Sequence, residues 1–310
     1  MWGDANAGST TGHERCIVRG VSTSSEESKT AALEVMILSY DSAVVIESLL
    51  STLSELLPQT PVAIREHSDS PGAIGRLEKL AAAHPTPVRV SADVSNPGFG
   101  AGCNALAAAS TARHLLFLNP DTELVSWPYR DAPPAQGRLV GPLMVDSGDP
   151  SRHYGVRYRV RDEIARSWFR RSSQRPAGTG FVSGAALLIA RADFERIGGF
   201  DERYFLFYED IDFCLRANGA GIGTFVDERF MVRHSGAHST SSRFGTSLMW
   251  SYESGVRFHR AHGSPVAGYR CYVVADSIAR AALHGVRLGS AAPRGYLALA
   301  ARAARDLISG

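Results

Sequence analysis

The sequence has few cysteines, no long apolar run and no large excess of charge of either sign. Its four cysteines are scattered and form no C-x-x-C pair, which argues against a zinc site or a disulfide framework and favours a reducing compartment. No uninterrupted apolar stretch approaches the ~20 residues that a membrane span requires. The formal net charge is +2, so composition gives no attraction to nucleic acid and we expect no nucleic-acid partner.

Two nucleotide-binding signatures are also missing. The chain contains no P-loop lysine motif, and its glycine-rich segment at 96–104 follows the third predicted strand, whereas a dinucleotide-binding G-x-G-x-x-G follows the first.

The first thirty residues contain no apolar stretch typical of a signal peptide. We therefore expect a cytoplasmic protein. Peripheral contact at the inner face of the plasma membrane stays open, and a homodimer is compatible with the sequence.

What the sequence does contain is an alternation of short apolar strands and amphipathic helices. Residues 1–30 are rich in Ser, Thr, Gly and Glu and predict a flexible tail. The alternation predicts an α/β catalytic domain at 31–245, with a mostly parallel sheet flanked by helices, and a helical C-terminal extension at 246–310. The predicted strands lie at 33–38, 62–64, 88–90, 114–118, 139–140 and 181–190.

Polar segments follow three of the predicted strands. Residues 39–41, 66–68 and 119–121 come directly after the first, second and fourth strands. In parallel sheets, ligands bind beyond the carboxyl ends of the strands, so we expect these segments to converge on one cleft. The glycines at 96–104 would let the backbone approach a ligand there, with N–H groups at a helix start suited to an anion or a nucleobase edge.

Three groups of side chains suit phosphate or proton chemistry. Asp121 after a buried strand can hold a divalent cation against a diphosphate, although Asn-Pro-Asp is also good turn chemistry. Glu209, Asp210 and Asp212 crowd the first turn of a predicted helix. There a carboxylate aimed at the cleft could act as a general base, or the acids could simply cap a solvated helix start. His234 after an apolar strand end can complete a metal site or be structural.

Taken in order, these segments resemble the family 2 glycosyltransferases with the GT-A fold, over residues 34–240. Two pairs of blocks carry the resemblance: NPGFGAGCN at 96–104 with LFLNPDTE at 116–123, and GFDERYF at 199–205 with YEDID at 208–212. With residues 234–240 beyond them, the pattern looks most like the bacterial rhamnosyltransferase branch, whose products belong to polysaccharide and cell-wall biosynthesis.

The resemblance implies roles for individual residues. Asp210 would be the catalytic base, with Glu209 and Asp212 on the acceptor side. Asp121 and His234 would bind a divalent cation, Mg²⁺ or Mn²⁺. The donor nucleotide would be bound by the following residues: Ser39, Tyr40, Asp41, Glu66, Asn96, Gly98, Asn104, Asn119 and Asp121.

The implied reaction is an inverting transfer of a sugar from a nucleoside-diphosphate donor, dTDP- or UDP-linked, to a hydroxyl of a glycan, lipid-linked or small-molecule acceptor. The rhamnosyltransferase branch points to L-rhamnose from dTDP-rhamnose. Family members usually carry Asp-Asn or Asp-Gly after the second strand, where the Asp contacts the base, but this chain has Glu66 and His67. That departure leaves a catalytically impaired sugar-nucleotide-binding or scaffold protein as one alternative, and a nucleotidyltransferase as another.

Two further segments carry open interpretations. The arginine-rich stretch at 152–175 predicts either a solvated loop or a lid that binds a phosphorylated acceptor. The segment 269–307 mixes Arg with apolar residues at near-helical spacing. It predicts helices that pack on the catalytic domain as ordinary core, the alternative being a surface that lies on an anionic membrane.

Overall fold

The computed structural model describes residues 31–130, 133–145, 154–155, 160, 180–234, 244–285 and 292–309. The predicted tail at 1–30 and most of the arginine-rich stretch at 152–175 lie outside these residues. The strands are β1 (Leu33–Ser39), β2 (Val62–Glu66), β3 (Val88–Ala92), β4 (His114–Leu118), β5 (Thr122–Ser126), β6 (Arg138–Val145), β7 (Tyr154–Gly155), β8 (Phe181–Val182), β9 (Ala186–Ala190) and β10 (Gly223–His234). The helices are α1 (Ala43–Leu56), α2 (Ala73–Ala83), α3 (Phe99–Ala108), α4 (Arg191–Ile197), α5 (Glu209–Gly219), α6 (Phe244–Ala261), α7 (Val266–Gly285) and α8 (Ala292–Ile308).

Eight of the strands form one sheet in the order β3-β2-β1-β4-β9-β6-β10-β5. Neighbouring strands run parallel from β3 through β4 and again between β6 and β10. They run antiparallel where β9 lies between β4 and β6, and where β5 closes the edge beside β10. The prediction of an α/β protein with a mostly parallel sheet flanked by helices is confirmed, as is the helical C-terminal extension.

The core lies in two apolar layers, one on each face of the sheet. Side chains of β1 alternate between them, because successive residues of a strand point to opposite faces: Ile37 packs in one layer and Met36 in the other. Helix α1 covers the first layer with side chains such as Leu49. Helices α3 and α5 cover the second, where Phe213 is fully buried. Both faces of the central strands are therefore covered by apolar side chains, so polar residues that could bind a ligand lie at the ends of these strands.

The C-terminal helices α6 to α8 pack around a separate apolar cluster that includes Tyr252, Tyr269 and Leu299. Gly255 permits a close crossing of α6 and α7, since a Cβ there would lie 2.0 Å from Tyr269 Oη. The Ser254 hydroxyl donates a hydrogen bond to the carbonyl of Leu206 at 2.9 Å, which ties α6 to the segment before α5. Across the described stretches, no helix combines the length with the apolarity needed to cross a bilayer.

Strand β10 is interrupted where its pairing with β6 changes register. Asp227 lies opposite Pro142, but Met231 lies opposite Leu143, so residues 228–230 are extra residues in β10. Phe230 in this bulge is buried, with its ring centroid 5.2 Å from that of Trp127. Beyond the bulge, β10 pairs with β5 as well as β6, so its last residues lie between two strands.

One predicted strand is wrong in its extent. The stretch 181–190 is not a single strand, because residues 183–185 turn away between β8 and β9. The N–H of Gly184 in this turn donates a 2.8 Å hydrogen bond to Asp210 Oδ2. The interruption therefore places a backbone donor against the first turn of α5.

Candidate active site

A cavity of about 240 Å³ opens beyond the carboxyl ends of the central strands. It lies where the polar segments after β1, β2 and β4 meet the glycine-rich segment before α3, the loop before α5, the end of β10 and α6. Its lining residues are Leu38, Ser39, Tyr40, His67, Asn96, Gly98, Phe99, Asn119, Pro120, Asp121, Phe205, Leu206, Phe207, His234 and Trp250. Seven of the residues predicted for the site are therefore brought together: Ser39, Tyr40, Asn96, Gly98, Asn119, Asp121 and His234.

Asp121 and His234 are 113 positions apart in the chain but in contact at the cavity. His234 lies opposite Thr122 in the antiparallel pair of β10 and β5, and Asp121 is the residue directly before β5. His234 Nε2 is 3.2 Å from Asp121 Oδ1, and the two side chains are 14% and 9% exposed. The strand pairing thus fixes a carboxylate and an imidazole side by side.

This pair suits a divalent cation in its donor chemistry, since carboxylate oxygen and imidazole nitrogen are ligands for Mn²⁺ and carboxylate oxygen for Mg²⁺. Within the described stretches, no group of three or more His, Cys, Asp or Glu side chains is arranged to hold a metal ion. Among these residue types, Asp121 and His234 could therefore supply two ligands to such a cation. Asn119 Oδ1 beside them is buried without a hydrogen-bond partner in the described chain.

The glycine-rich segment and the loop before α5 form one wall of the cavity by touching each other. Gly98 has a φ of +106°, and a Cβ on it would lie 2.4 Å from the carbonyl oxygen of Phe205. The N–H of Phe99 donates to that same oxygen at 2.9 Å. Glycine is required here because both the dihedral angle and the close approach exclude a side chain. Asn96 enters the segment with a φ of +47°.

Glu66, which we predicted to contact the nucleotide, does not line the cavity. It is fully buried, and its carboxylate accepts three hydrogen bonds: from Ser39 Oγ at 2.5 Å, from the N–H of Asp41 at 2.9 Å and from the N–H of Ser68 at 2.8 Å. The side chain therefore ties the turns after β1 and β2 together. Asp41 is also outside the lining, and its carboxylate pairs with Arg76 at 3.2 Å on an exposed surface.

Asn104 lies on α3 and bonds to protein atoms outside the cavity lining. Its side-chain N–H groups donate to the carbonyl of Phe200 and to Glu202, each at 2.9 Å, and its Oδ1 accepts from the N–H of Phe200 at 2.9 Å. These bonds hold the loop that leads toward α5 against α3. In this conformation Asn104 positions one wall of the site rather than facing its interior.

Asp210 is held at the start of α5 by backbone donors. Its Oδ2 accepts from the N–H of Gly184 and its Oδ1 from the N–H of Ile211, each at 2.8 Å. Burial raises the pKa of Asp210, and those backbone hydrogen bonds oppose the rise because they favour the charged form. Asp210 does not line the cavity itself. It is linked to the cavity lining through the 183–185 turn, because the Gly184 N–H donates to Asp210 and the Ala185 carbonyl accepts a 2.9 Å hydrogen bond from the N–H of Asn119.

Glu209 and Asp212, predicted for the acceptor side, have different surroundings from Asp210. Burial raises the pKa of Glu209 well above its usual range, and the neighbouring Asp210 raises it further. Glu209 Oε2 is buried with no hydrogen-bond partner among the described residues. Asp212 accepts hydrogen bonds from Arg216 Nε at 2.7 Å and from His262 Nε2 at 2.9 Å. Neither side chain lines the cavity.

Sequence reasoning missed several lining residues. His67 appeared only as part of a departure from a family pattern, and the aromatic residues Phe205 and Phe207 were given no role. Trp250 carries no sequence signal for this site, because it is on α6 and reaches the cavity only by tertiary packing, with its ring centroid 4.7 Å from that of Phe205.

The architecture matches solved glycosyltransferase structures. A mannosyltransferase from Pyrobaculum calidifontis, solved in complex with GDP-Man and Mn²⁺, superposes with a TM-score of 0.53 and 16% identity over 89% of this chain and 81% of that one. The chain has the GT-A fold. No family model matches the sequence of this GT-A protein.

Curated relatives match shorter parts of the chain. Rhamnosyltransferase WbbL of Escherichia coli (strain K12) is 36% identical over 78 residues, which is 25% of this chain and 30% of that protein. The N-acetylglucosaminyl-diphospho-decaprenol L-rhamnosyltransferase of Mycobacterium tuberculosis is 44% identical over 69 residues, 22% of each. The chain therefore matches less than a third of the length of these relatives. Within those segments, the GT-A chain is similar to bacterial rhamnosyltransferases, the branch that its sequence blocks predicted.

Proposed function

We propose that this GT-A protein is a glycosyltransferase that moves a sugar from a nucleoside-diphosphate donor to an acceptor hydroxyl. The observation that carries the proposal is the contact between Asp121 and His234 at 3.2 Å, at the mouth of a cavity that the ends of four strands surround. A carboxylate and an imidazole at this point face the place where a diphosphate would lie if its nucleoside entered the cavity.

Asp121 and His234 would hold Mg²⁺ or Mn²⁺ against the diphosphate of the donor. When bound, the cation neutralises negative charge on the departing nucleoside diphosphate. The Mn²⁺ and GDP-Man of the Pyrobaculum structure support a metal and a nucleotide sugar for this fold, and the choice of donor here is a separate part of the proposal. Ser39, Tyr40 and Asn119 would border the nucleotide from the ends of β1 and β4.

Asp210 would act as the base in a single inverting displacement. It takes the proton of the acceptor hydroxyl while that oxygen attacks the anomeric carbon and the bond from this carbon to the diphosphate oxygen breaks. A raised pKa strengthens the carboxylate as a base, and its two backbone donors fix its orientation. Because Asp210 lies one short turn away from Asn119, an acceptor hydroxyl would enter between the cavity and the 183–185 turn.

The finer parts of the proposal come from the curated relatives. Both relatives are named rhamnosyltransferases, and the mycobacterial name specifies L-rhamnose, which supports L-rhamnose as the sugar. The donor of this proposal is dTDP-rhamnose, with a UDP-linked sugar as the second choice. The mycobacterial name includes a diphospho-decaprenol and supports a lipid-linked acceptor, with a glycan hydroxyl as the chemical target. A cytoplasmic enzyme that meets such an acceptor at the membrane surface, as a monomer or a homodimer, fits this chemistry.

A thermal-shift panel tests the donor and the metal together. The purified chain is heated with dTDP-rhamnose, UDP-glucose, UDP-N-acetylglucosamine or GDP-mannose, with and without Mn²⁺. A donor at 100 times its Kd stabilises the protein by about 2.7 kcal/mol, which raises the Tm by roughly 5 °C for a chain of this size. We expect the largest shift with dTDP-rhamnose and Mn²⁺, and its loss in Asp121→Asn.

The matched control for that variant is Asp276→Asn, which removes a carboxylate paired with Arg280 on α7. It should keep the full Mn²⁺-dependent shift. A wild-type Tm that no nucleotide sugar changes would contradict the proposal, as would an unaltered Mn²⁺-dependent shift in Asp121→Asn. Ligand binding without release of nucleoside diphosphate, in the presence of any hydroxyl acceptor or water, would instead indicate a sugar-nucleotide-binding protein without turnover.

A further inference from the structure

His67 is a buried polar side chain that lacks a well-formed hydrogen bond to the protein. It follows β2, is 2% exposed and lines the cavity. Neither Nδ1 nor Nε2 makes a hydrogen bond of regular geometry within the part of the chain that the structure describes. Leaving a buried donor or acceptor unpaired costs about 1–3 kcal/mol, so such groups in native proteins usually have a partner in water or a ligand.

The ring is held in place by its neighbours. A Cβ on Gly102 of α3 would lie 2.7 Å from His67 Cε1 and 2.4 Å from Leu38 Cδ1. The imidazole therefore packs directly against the helix backbone, in space that only a glycine leaves open. Packing against the helix therefore sets the position of the ring, and Asn96, which also lines the cavity, is the polar side chain that interacts with it.

Glu66 is not available for the same task. Its carboxylate already accepts hydrogen bonds from Ser39 Oγ and from the N–H groups of Asp41 and Ser68. Of the 66–68 turn, His67 is the residue that lines the cavity. The carboxylate of Glu66 thus holds two turns together, and the next residue, His67, lines the cavity.

We propose that His67 recognises the base of the donor nucleotide by a hydrogen bond, and that this base is a pyrimidine. The inference rests on the proposed function, because it requires a nucleotide in the cavity. A neutral imidazole offers one donor and one acceptor. The imide edge of uracil or thymine offers an N–H between two carbonyl oxygens, so either ring nitrogen finds a complementary atom.

The protonation state of the ring supports this pairing. Burial lowers the pKa of His67, and the charge of Arg65 lowers it further, against smaller opposing effects of the Asp93 charge, of hydrogen bonding with the Asn96 side chain and of the Glu66 charge. The ring is therefore neutral at pH 7. Guanine presents two adjacent N–H donors, which a free carboxylate accepts well, but the carboxylate of this turn is fully engaged. The turn is thus better suited to uracil or thymine than to guanine.

The placement of His67 relative to the diphosphate site is also suitable. His67 follows β2 and Asn119 follows β4, with β1 between those strands. Two strand spacings separate these positions by roughly 10 Å. This is the scale that separates the base from the diphosphate in an extended nucleotide, so one ligand can reach both ends of the cavity.

Isothermal titration calorimetry tests the inference at the level of binding. Wild type, His67→Ala and His67→Gln are titrated with UDP, dTDP, GDP and inorganic pyrophosphate, all with Mn²⁺. We expect His67→Ala to bind UDP and dTDP about 3- to 10-fold more weakly, the scale of one neutral hydrogen bond. Its pyrophosphate affinity should not change, because pyrophosphate has no base. His67→Gln should recover most of the loss, since an amide keeps a donor and an acceptor.

The matched control is His114→Gln, which changes a histidine at the start of β4, at the opposite end of that strand from the cavity. It should bind all four ligands as wild type does. Unchanged UDP and dTDP affinity in His67→Ala, an equal loss for pyrophosphate, or tighter binding of GDP than of UDP in wild type would each overturn the inference. Wild type that binds no nucleotide would overturn the proposed function as well, which separates the two failures.

Discussion

Two groups of ionisable side chains differ in how their distance along the chain relates to their distance in space. At the cavity, Asp121 and His234 are far apart in the chain and in contact in space. At the start of α5, Glu209, Asp210 and Asp212 are almost adjacent in the chain, yet their carboxylates face three different environments: an apolar interior, two backbone N–H groups and an ion pair. The comparison shows that strand pairing gathers a site, whereas proximity along a helix does not.

The difference follows from geometry. Residues three apart on a helix share a face, but residues one apart diverge by about 100°. Glu209 and Asp210 affect each other through their charges, but their carboxylates have different hydrogen-bond partners, so a role for each acid must be argued separately. Antiparallel pairing, in contrast, places the residue before β5 beside the last residue of β10 whatever the number of residues between them.

The largest expected effect comes from Asp210→Asn. A large loss of turnover in this variant would single out Asp210 as the general base among the three acids of α5. We expect turnover to fall by ~10²–10⁴-fold, the usual scale for loss of a general base. Nucleotide affinity should stay close to wild type, because Asp210 does not line the cavity. The measurement is the rate of nucleoside diphosphate release with saturating donor and acceptor. Turnover within threefold of wild type would remove Asp210 from the base role, and Asp276→Asn is the control.

A smaller effect is expected for Asp212→Ala, and on stability rather than chemistry. The carboxylate is 5% exposed and accepts hydrogen bonds from Arg216 and His262, which link α5 to the end of α6. Its loss leaves those donors partly buried and unpaired and should lower the free energy of unfolding by about 1–3 kcal/mol. Urea denaturation measures this loss.

The control for that prediction is Asp276→Ala, whose carboxylate pairs with Arg280 one helical turn away on α7. We expect it to cost less than about 1 kcal/mol, because partly exposed pairs contribute little. Equal stability losses in the two variants, or a loss of turnover in Asp212→Ala at temperatures where it is fully folded, would place Asp212 in the chemistry after all.

The smallest effect concerns Glu209→Gln and appears as a change in pH dependence. Burial raises the pKa of Glu209 in the folded state, so the folded protein holds this proton to higher pH than the unfolded chain does. Stability should therefore fall as pH rises from the unfolded value through the folded one, by about 1.4 kcal/mol for each pH unit that separates them. Glu209→Gln removes this slope.

Urea denaturation of wild type and Glu209→Gln between pH 5 and 8 measures the difference. The variant should become progressively more stable relative to wild type as pH rises. Glu195→Gln, at a residue whose side chain is 64% exposed on α4, is the control and should run parallel to wild type. Parallel curves for Glu209→Gln would mean that Glu209 is not held protonated by its surroundings.

The fold could be predicted from sequence because its strands are apolar runs of regular spacing and its helices have one apolar face. The 183–185 turn could not, since Phe181, Val182 and Ala186 are as apolar as the strands around them and the turn depends on a tertiary bond to Asp210. Strand β5 was missed because Thr122 and Glu123 directly follow Asn-Pro-Asp turn chemistry.

For the site, residues that directly follow strands were easiest to place, because the end of a strand fixes which edge of the sheet they occupy. Ser39, Asn119 and Asp121 are of this kind. The use of Glu66 was not predictable, since its carboxylate depends on three donors from two separate turns. The assignment of the predicted site residues to nucleotide binding, metal binding or base catalysis stays a prediction.

The bulge at residues 228–230 bears on how this chain can tolerate changes in length. We expect a residue inserted next to Glu228, ahead of the buried Phe230, to be tolerated better than one inserted later in β10, because residues 228–230 already lie outside the regular pairing with β6. A deletion between the bulge and His234 would move every following side chain to the other face of the sheet. The imidazole would then leave Asp121, so the few residues after the bulge must keep their number even where their identities change.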